Sequence, residues 1–276
     1  MWVMMNRKKG RSGGQSDQKT KVPRVRQPDP PKGWGQDDLT DYWVAAQQNR
    51  WATFANHTKA FQRLIAVDRL FLTFAEGWND PDDMDTPALA FRAHAAFRAA
   101  AQNATAGQVG DTFPTIRAAI EMAAYAVYLT FNPEAKKIWL HRSENEAARK
   151  AARRVFSHAK IERHIRGVDG WLAAFYSDLY EFSIDHGAHP NEQALALNRN
   201  IIKDGDVTLI RQMYLHGDGV PIRVAVTKVI EGGACALFLL RLAFPERFNG
   251  EQFGSLDRLK QEIERAHRYN RVAEAS

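Results

Sequence analysis

Arg117, Glu121, Tyr125 and Tyr128 follow one another at intervals of four, four and three residues. On an α-helix this spacing puts all four on one face. The positions between them (Ile116, Ile120, Met122, Ala123, Ala124, Val127 and Leu129) are apolar, so the helix that carries them is expected to be buried nearly all round. An isolated buried charge is very costly, and an Arg–Glu pair in such a helix must be paired and hydrogen-bonded. The stripe is therefore either an ion pair that fixes the helix's register or the lining of a polar cleft.

A second group lies further along. Asp178, Glu181 and Asp185 form an acidic stripe at i, i+3 and i+7, beside the apolar stripe Trp171, Phe175, Leu179, Phe182 and His186. His186-Gly187-Ala188-His189-Pro190-Asn191 then ends the helix. A helix C-terminus favours a protonated imidazole, and Asp185 is close enough in sequence to orient one. Arg117, Glu121, Tyr125, Asp185 and His189 are thus the candidate catalytic residues, suited to general acid–base work. His186-x-x-His189 with Glu181 and Asp185 also offers nitrogen and oxygen ligands. It lacks a fixed third ligand, and a core histidine plus a helix-capping histidine explains the same residues, so no metal site is assigned.

Residues 136–166 carry ten Lys or Arg against three Glu, a local charge of +7, together with His141, His158 and His164. Ala148, Ala151, Ala152, Val155 and Phe156 make the expected inward face. Arg149, Lys150, Arg153 and Arg154 are left outward as candidate nucleic-acid-binding residues, since a basic helix face can hold phosphates. The same face is also compatible with simple solvation or a protein partner.

Three Arg–His pairs, Arg50…His57, Arg153…His158 and Arg211…His216, resemble the Arg-x(4–6)-His motif of the helical HEPN ribonucleases. That resemblance implies RNA cleavage, with the two side chains acting on the scissile phosphate. A chain with this content of Arg and His produces such spacings by chance. Arg211…His216 also falls in an expected strand and lacks the polar residue that often follows the Arg in that family.

The run Arg117-x-x-x-Glu121…Tyr125, Asn132-Pro133-Glu134…Trp139 and Asp185-x-Gly187-Ala188-His189-Pro190-Asn191, followed by a hairpin and an apolar helix, resembles a group of uncharacterised bacterial all-helical proteins. It spans about residues 85–250. The resemblance implies an intracellular bacterial origin and assigns no role to these positions. There is no Walker loop, Rossmann fingerprint or Gly-x-Ser-x-Gly turn, and the sequence points to no cofactor.

The elements that must position these residues read as helices. A helix is expected from Thr40 to about Glu76, with Trp51, Phe54, Phe61, Ile65 and Leu72 at helical spacing, then a loop over 77–85. Thr86-Pro87 opens a helix to about Ala106. Further helices are expected over 114–131, 133–156 and 158–186, the last broken near Gly167–Gly170. Alternating apolar residues on either side of Asp204-Gly205 predict a β-hairpin at about 194–215. Pro221 opens an apolar helix to Phe244, and an amphipathic helix covers about 255–272.

The 276 residues carry a formal charge of +6, 45% hydrophobic side chains and one cysteine. A single cysteine excludes an internal disulfide and agrees with a reducing cytoplasm. The basic excess is local. Residues 1–36 hold nine basic and two acidic side chains, and the other 240 hold 29 basic and 30 acidic. With four of the eleven prolines, residues 1–36 are expected to be a disordered basic tail, in which Met4 and Met5 are further candidate starts. The most apolar stretch, Val220–Phe244, contains four charged residues, too many for a bilayer span.

The expected fold is mainly α: a single helical-bundle-like domain over 37–276 with one β-hairpin insertion. The leading functional expectation is a non-catalytic cytoplasmic binding or regulatory module with basic patches for an anionic partner such as nucleic acid. The alternative is an enzyme using a Glu/Asp/His cleft, as a HEPN-like ribonuclease or a metal-dependent hydrolase.

Overall fold

The computed structural model describes residues 28–76, 78, 84–205, 207–248 and 250–274. The tail expected over 1–36 lies mostly outside these residues, as does most of the loop expected over 77–85. Residues 28–36 form neither helix nor strand, yet Trp34 stacks on Trp43 with ring centroids 5.4 Å apart. The Gly35 N–H donates to Thr40 Oγ1. This short stretch is therefore docked.

Among the described residues the chain forms helices α1 (Asp38–Asn56), α2 (Thr58–Ala75), α3 (Asp85–Ala106), α4 (Val109–Phe131), α5 (Pro133–Leu140), α6 (Glu146–Val155), α7 (His158–Val168) and α8 (Gly170–Ser183). A π-helical turn, Ile184–Ala188, extends α8. Then come α9 (Glu192–Leu197), an antiparallel hairpin of β1 (Arg199–Asp204) and β2 (Val207–Gln212), α10 (Val220–Ala243) and α11 (Gly250–Glu274). The mainly α class with one two-stranded hairpin holds.

Helix α10 is the hub. Its stretch from Ala234 to Leu240 is wholly buried, which explains why a helical run with no polar side chain persists there. It packs against α3, α4, α2 and α8. Phe71, Phe97, Phe113, Ile120, Leu129, Ile165 and Leu172 fill the space around it in one continuous core. Cys235 is fully buried there, and burial pushes its thiol pKa far up, so it is a packing residue.

Several boundaries differ from those expected, for local reasons. The helix expected over 40–76 is two helices, broken at His57, whose ring Nε2 pairs with Asp218 at 2.7 Å. Its buried face is Leu64, Val67, Phe71 and Phe74, whereas Trp51 and Phe54 are exposed. Pro114 does not open its helix but lies inside it, five residues after Val109. Residues 133–156 divide into α5 and α6, and Asn145 caps α6 by accepting from the Ala148 N–H at 2.8 Å. Residues 194–197, expected within the hairpin, belong instead to α9, capped in the same way by Asn191.

The hairpin pairs Asp204 with Val207 at its tip and Arg199 with Gln212 at its base. Gly205 there takes a φ of 58°, in the left-handed region that an Asp-Gly turn uses. The segment after it is stapled to the α3–α4 corner. The His216 N–H donates to the Gly107 carbonyl at 2.9 Å, and Asn49 Nδ2 donates to the carbonyls of Ala106 and His216. Gly107 has a φ of 84°, and a Cβ on it would sit 2.2 Å from the His216 oxygen. Only glycine fits this corner.

Candidate anion-binding groove

Helix α4 delivers its polar stripe to the surface between α3, α5 and α6. Arg117 is held at both ends of its guanidinium. Its Nε donates to Glu121 Oε1 at 3.0 Å, and a terminal nitrogen donates to the Tyr180 hydroxyl at 2.7 Å. The guanidinium carbon also lies 4.4 Å from the Tyr180 ring centre. The ion pair with Glu121 stays within α4, and the hydrogen bond and ring contact with Tyr180 fasten α4 to α8. Glu121 also faces a cavity, so the stripe serves both purposes.

That cavity is one lobe of a groove, about 440 Å³, lined by Asp85, Leu89, Arg92, Glu121, Met122, Tyr125, Trp139 and Arg142. A second lobe, about 340 Å³, is lined by Tyr125, Trp139, Arg142, Ser143, Arg149, Arg153 and Phe156. Tyr125, Trp139 and Arg142 belong to both. Tyr125 stacks on Phe156 at 5.0 Å, with the rings 20° from parallel. Burial, with Glu121 nearby, raises the Tyr125 hydroxyl's pKa, so it stays a neutral phenol at ordinary pH. Arg142 leans on Trp139, 5.4 Å from the ring centre.

The charge of the two lobes differs. The second lobe has three arginines and no carboxylate in its lining. Among the described residues no acidic side chain comes within salt-bridge distance of Arg142, Arg149 or Arg153, although Lys150 on the same helix is paired with Glu146 at 3.0 Å. Three guanidiniums without a carboxylate partner among the described residues, set around aromatic walls, could hold an anion against π-faces. Asn145 produces it by starting α6 afresh after the break at 141–145, which swings Arg149 and Arg153 back toward α4.

Of the residues singled out by sequence, Tyr125, Glu121, Arg149 and Arg153 meet in this groove. Arg117 supports it from behind. Lys150 and Arg154 are exposed outside its lining. Asp185 and His189 are exposed on the π turn and just after it. No hydrogen bond or ion pair among the described residues joins them to Glu121 or Tyr125. His186 stacks on Phe182 at 3.9 Å and its Nδ1 bonds to the Phe182 carbonyl. Among the described residues no three His, Cys, Asp or Glu side chains gather as metal ligands. Asn191 is a helix cap that also donates to the Ile184 carbonyl.

Arg211 is exposed on β2, whereas His216 is buried and bonded to Asn198 Oδ1 at 3.0 Å. This is a structural setting. Arg153 lines the groove, but His158 stacks on Tyr180 at 3.8 Å, away from its lining. Sequence reasoning missed Trp139 and Phe156 as walls, Arg142 as the shared cation and Tyr180 as the anchor of Arg117. Arg142 stood within the basic segment, but nothing local could reveal the Tyr180 contact across 63 residues.

Comparisons with protein-family models, curated proteins and solved structures find no match to this chain. No helix among the described residues is long and apolar enough to cross a membrane.

Proposed function

We propose that the protein is a non-catalytic cytoplasmic module that binds single-stranded nucleic acid in the groove between α4, α5 and α6. The observation that carries this reading is the unpaired trio Arg142, Arg149 and Arg153 lining a wall of Tyr125, Trp139 and Phe156. Proteins that hold single strands combine a cationic track with aromatic faces on which bases stack. Lys150 and Arg154 on the outer surface of α6 extend the cationic surface for a strand longer than the groove, and the sequence of 1–36 adds nine basic residues to the chain. The single cysteine supports a reducing compartment.

Fluorescence anisotropy with a labelled single-stranded oligonucleotide tests the reading. Binding is expected to weaken steeply between about 50 and 200 mM salt. Arg149→Ala with Arg153→Ala should flatten the plot of log affinity against log salt by about 1.4, two phosphate contacts at about 0.7 each for a single strand. Trp139→Ala should weaken binding by about 1–3 kcal/mol without changing that slope. Absence of binding, or binding indifferent to salt, overturns the proposal.

A further inference from the structure

A second cavity, sharing no residue with the groove, opens between α1, α2 and α3 with a volume of about 560 Å³. That is the size of a small-molecule site, and such sites combine an apolar floor with few polar groups. Leu64 and Phe97 form the buried part of the floor, and Phe61 and Ile65 its half-buried sides.

Three charges border it. Asp68 is fully engaged: Arg98 grips both of its oxygens at 2.6 and 2.9 Å, and His94 Nε2 bonds to it at 2.7 Å. Burial pushes the Asp68 pKa up, but these bonds outweigh it and hold the carboxyl ionised below its usual range. Asp68 and Arg98 cancel. Arg50 has no countercharge among the described residues. One of its terminal nitrogens donates to Gln47 Oε1 at 2.7 Å, and no carboxylate among the described residues lies within salt-bridge distance. Burial lowers the pKa of its guanidinium, as it does for a cation taken partly out of water.

An arginine with free donors at the edge of an apolar floor matches one chemistry: a planar monoanion on an apolar body. We propose that this cavity binds a small amphiphilic carboxylate, its chain on the Phe61, Leu64, Ile65 and Phe97 floor and its carboxylate on Arg50. The guanidinium fork can take both carboxylate oxygens, and its single positive charge matches a single negative one.

Calorimetric titration of the full-length protein with octanoate, and with octanamide as the neutral match, tests the site. Octanoate is expected to bind at least about tenfold more tightly than octanamide, the usual gain from a hydrogen bond to a charged group. Arg50→Gln should remove that advantage and leave octanamide binding as it was, which also shows that the floor is intact. Lys203→Gln, which removes a positive charge from the distant hairpin, should change neither. Ile65→Asp, which places a carboxylate on the floor, should abolish octanoate binding. Failure of octanoate to bind, equal affinity for the two probes, or an undiminished preference in Arg50→Gln overturns the proposal.

Discussion

A methyl group added at Gly232 would lie 2.3 Å from Ile116 Cγ1, and one at Gly233 would lie 2.6–2.7 Å from Phe97 and Val67. Both glycines are in the middle of α10, where alanine would improve helix propensity by about 1 kcal/mol. The neighbours are buried and branched or aromatic, so they cannot swing aside, and overpacking costs about 1–3 kcal/mol. Gly232→Ala and Gly233→Ala are therefore each expected to lower unfolding free energy in urea, by up to about 2 kcal/mol. Gly254→Ala, in exposed α11 with open space around it, should raise it by up to about 1 kcal/mol. Stabilisation by either α10 substitution would refute this account of the helix crossing. The adjacent glycines themselves were visible in the sequence, within an apolar run. Their partners on α2, α3 and α4 were not, because which helix crosses a glycine depends on the whole packing arrangement. Arg117 repeats the lesson. Its partner Glu121 follows from i,i+4 spacing, whereas its partner Tyr180 does not.

The hairpin is the element least supported by its surroundings. Every residue of β2 is exposed, and Ile201, which faces Ile210 across the pair, is itself 53% exposed. An isolated two-stranded hairpin is marginal in water, and amides held only by such a pair open locally at low cost. Amides of 199–212 are expected to exchange with deuterium orders of magnitude faster than those of Ala234–Leu240 in α10. Equal protection of the two segments would show that something covers the hairpin in solution. The hairpin was legible because its signal is local: Asp-Gly between alternating apolar runs. The break between α1 and α2 was not, because no glycine or proline marks it and His57 is held by Asp218, 161 residues away. The division of 133–156 had a local signal in Ser143 and Asn145, weak helix formers, but the flanking residues rich in Ala, Lys, Arg and Glu read as one helix. That division matters most for function, since it turns Arg149 and Arg153 from an outward face into a groove lining.

Across the whole molecule, charge is arranged in patches and four histidines are built into the fold. His94 stacks on Phe71 at 4.8 Å, His158 lies against Tyr176 and Tyr180, His164 meets the edge of Tyr128, and His216 is buried against Asn198. Burial lowers the pKa of all four below the ordinary value of 6.5, for His94 despite its bond to Asp68. The folded chain therefore keeps these rings neutral at pH values where the unfolded chain has begun to protonate them. As pH falls below about 6.5 the unfolded state binds more protons and stability declines, until the pH passes the lowered folded-state values. Each histidine contributes a slope of at most about 1.4 kcal/mol per pH unit within that window. Asp68, with its pKa depressed in the folded state, adds a further loss only when the pH drops below its unfolded value near 3.8. Thermal melts are expected to be flat from pH 8 to 7 and to shift down from pH 7 to 5. His164→Phe suits a pocket made by Tyr128 and Phe131, and His164 Nε2 is buried without a hydrogen-bond partner among the described residues. This substitution should remove part of the acid-side slope while leaving the melting temperature at pH 8 equal or higher. A melting temperature that rises on acidification to pH 5 would mean that the folded state binds these protons more tightly, the reverse of what burial imposes.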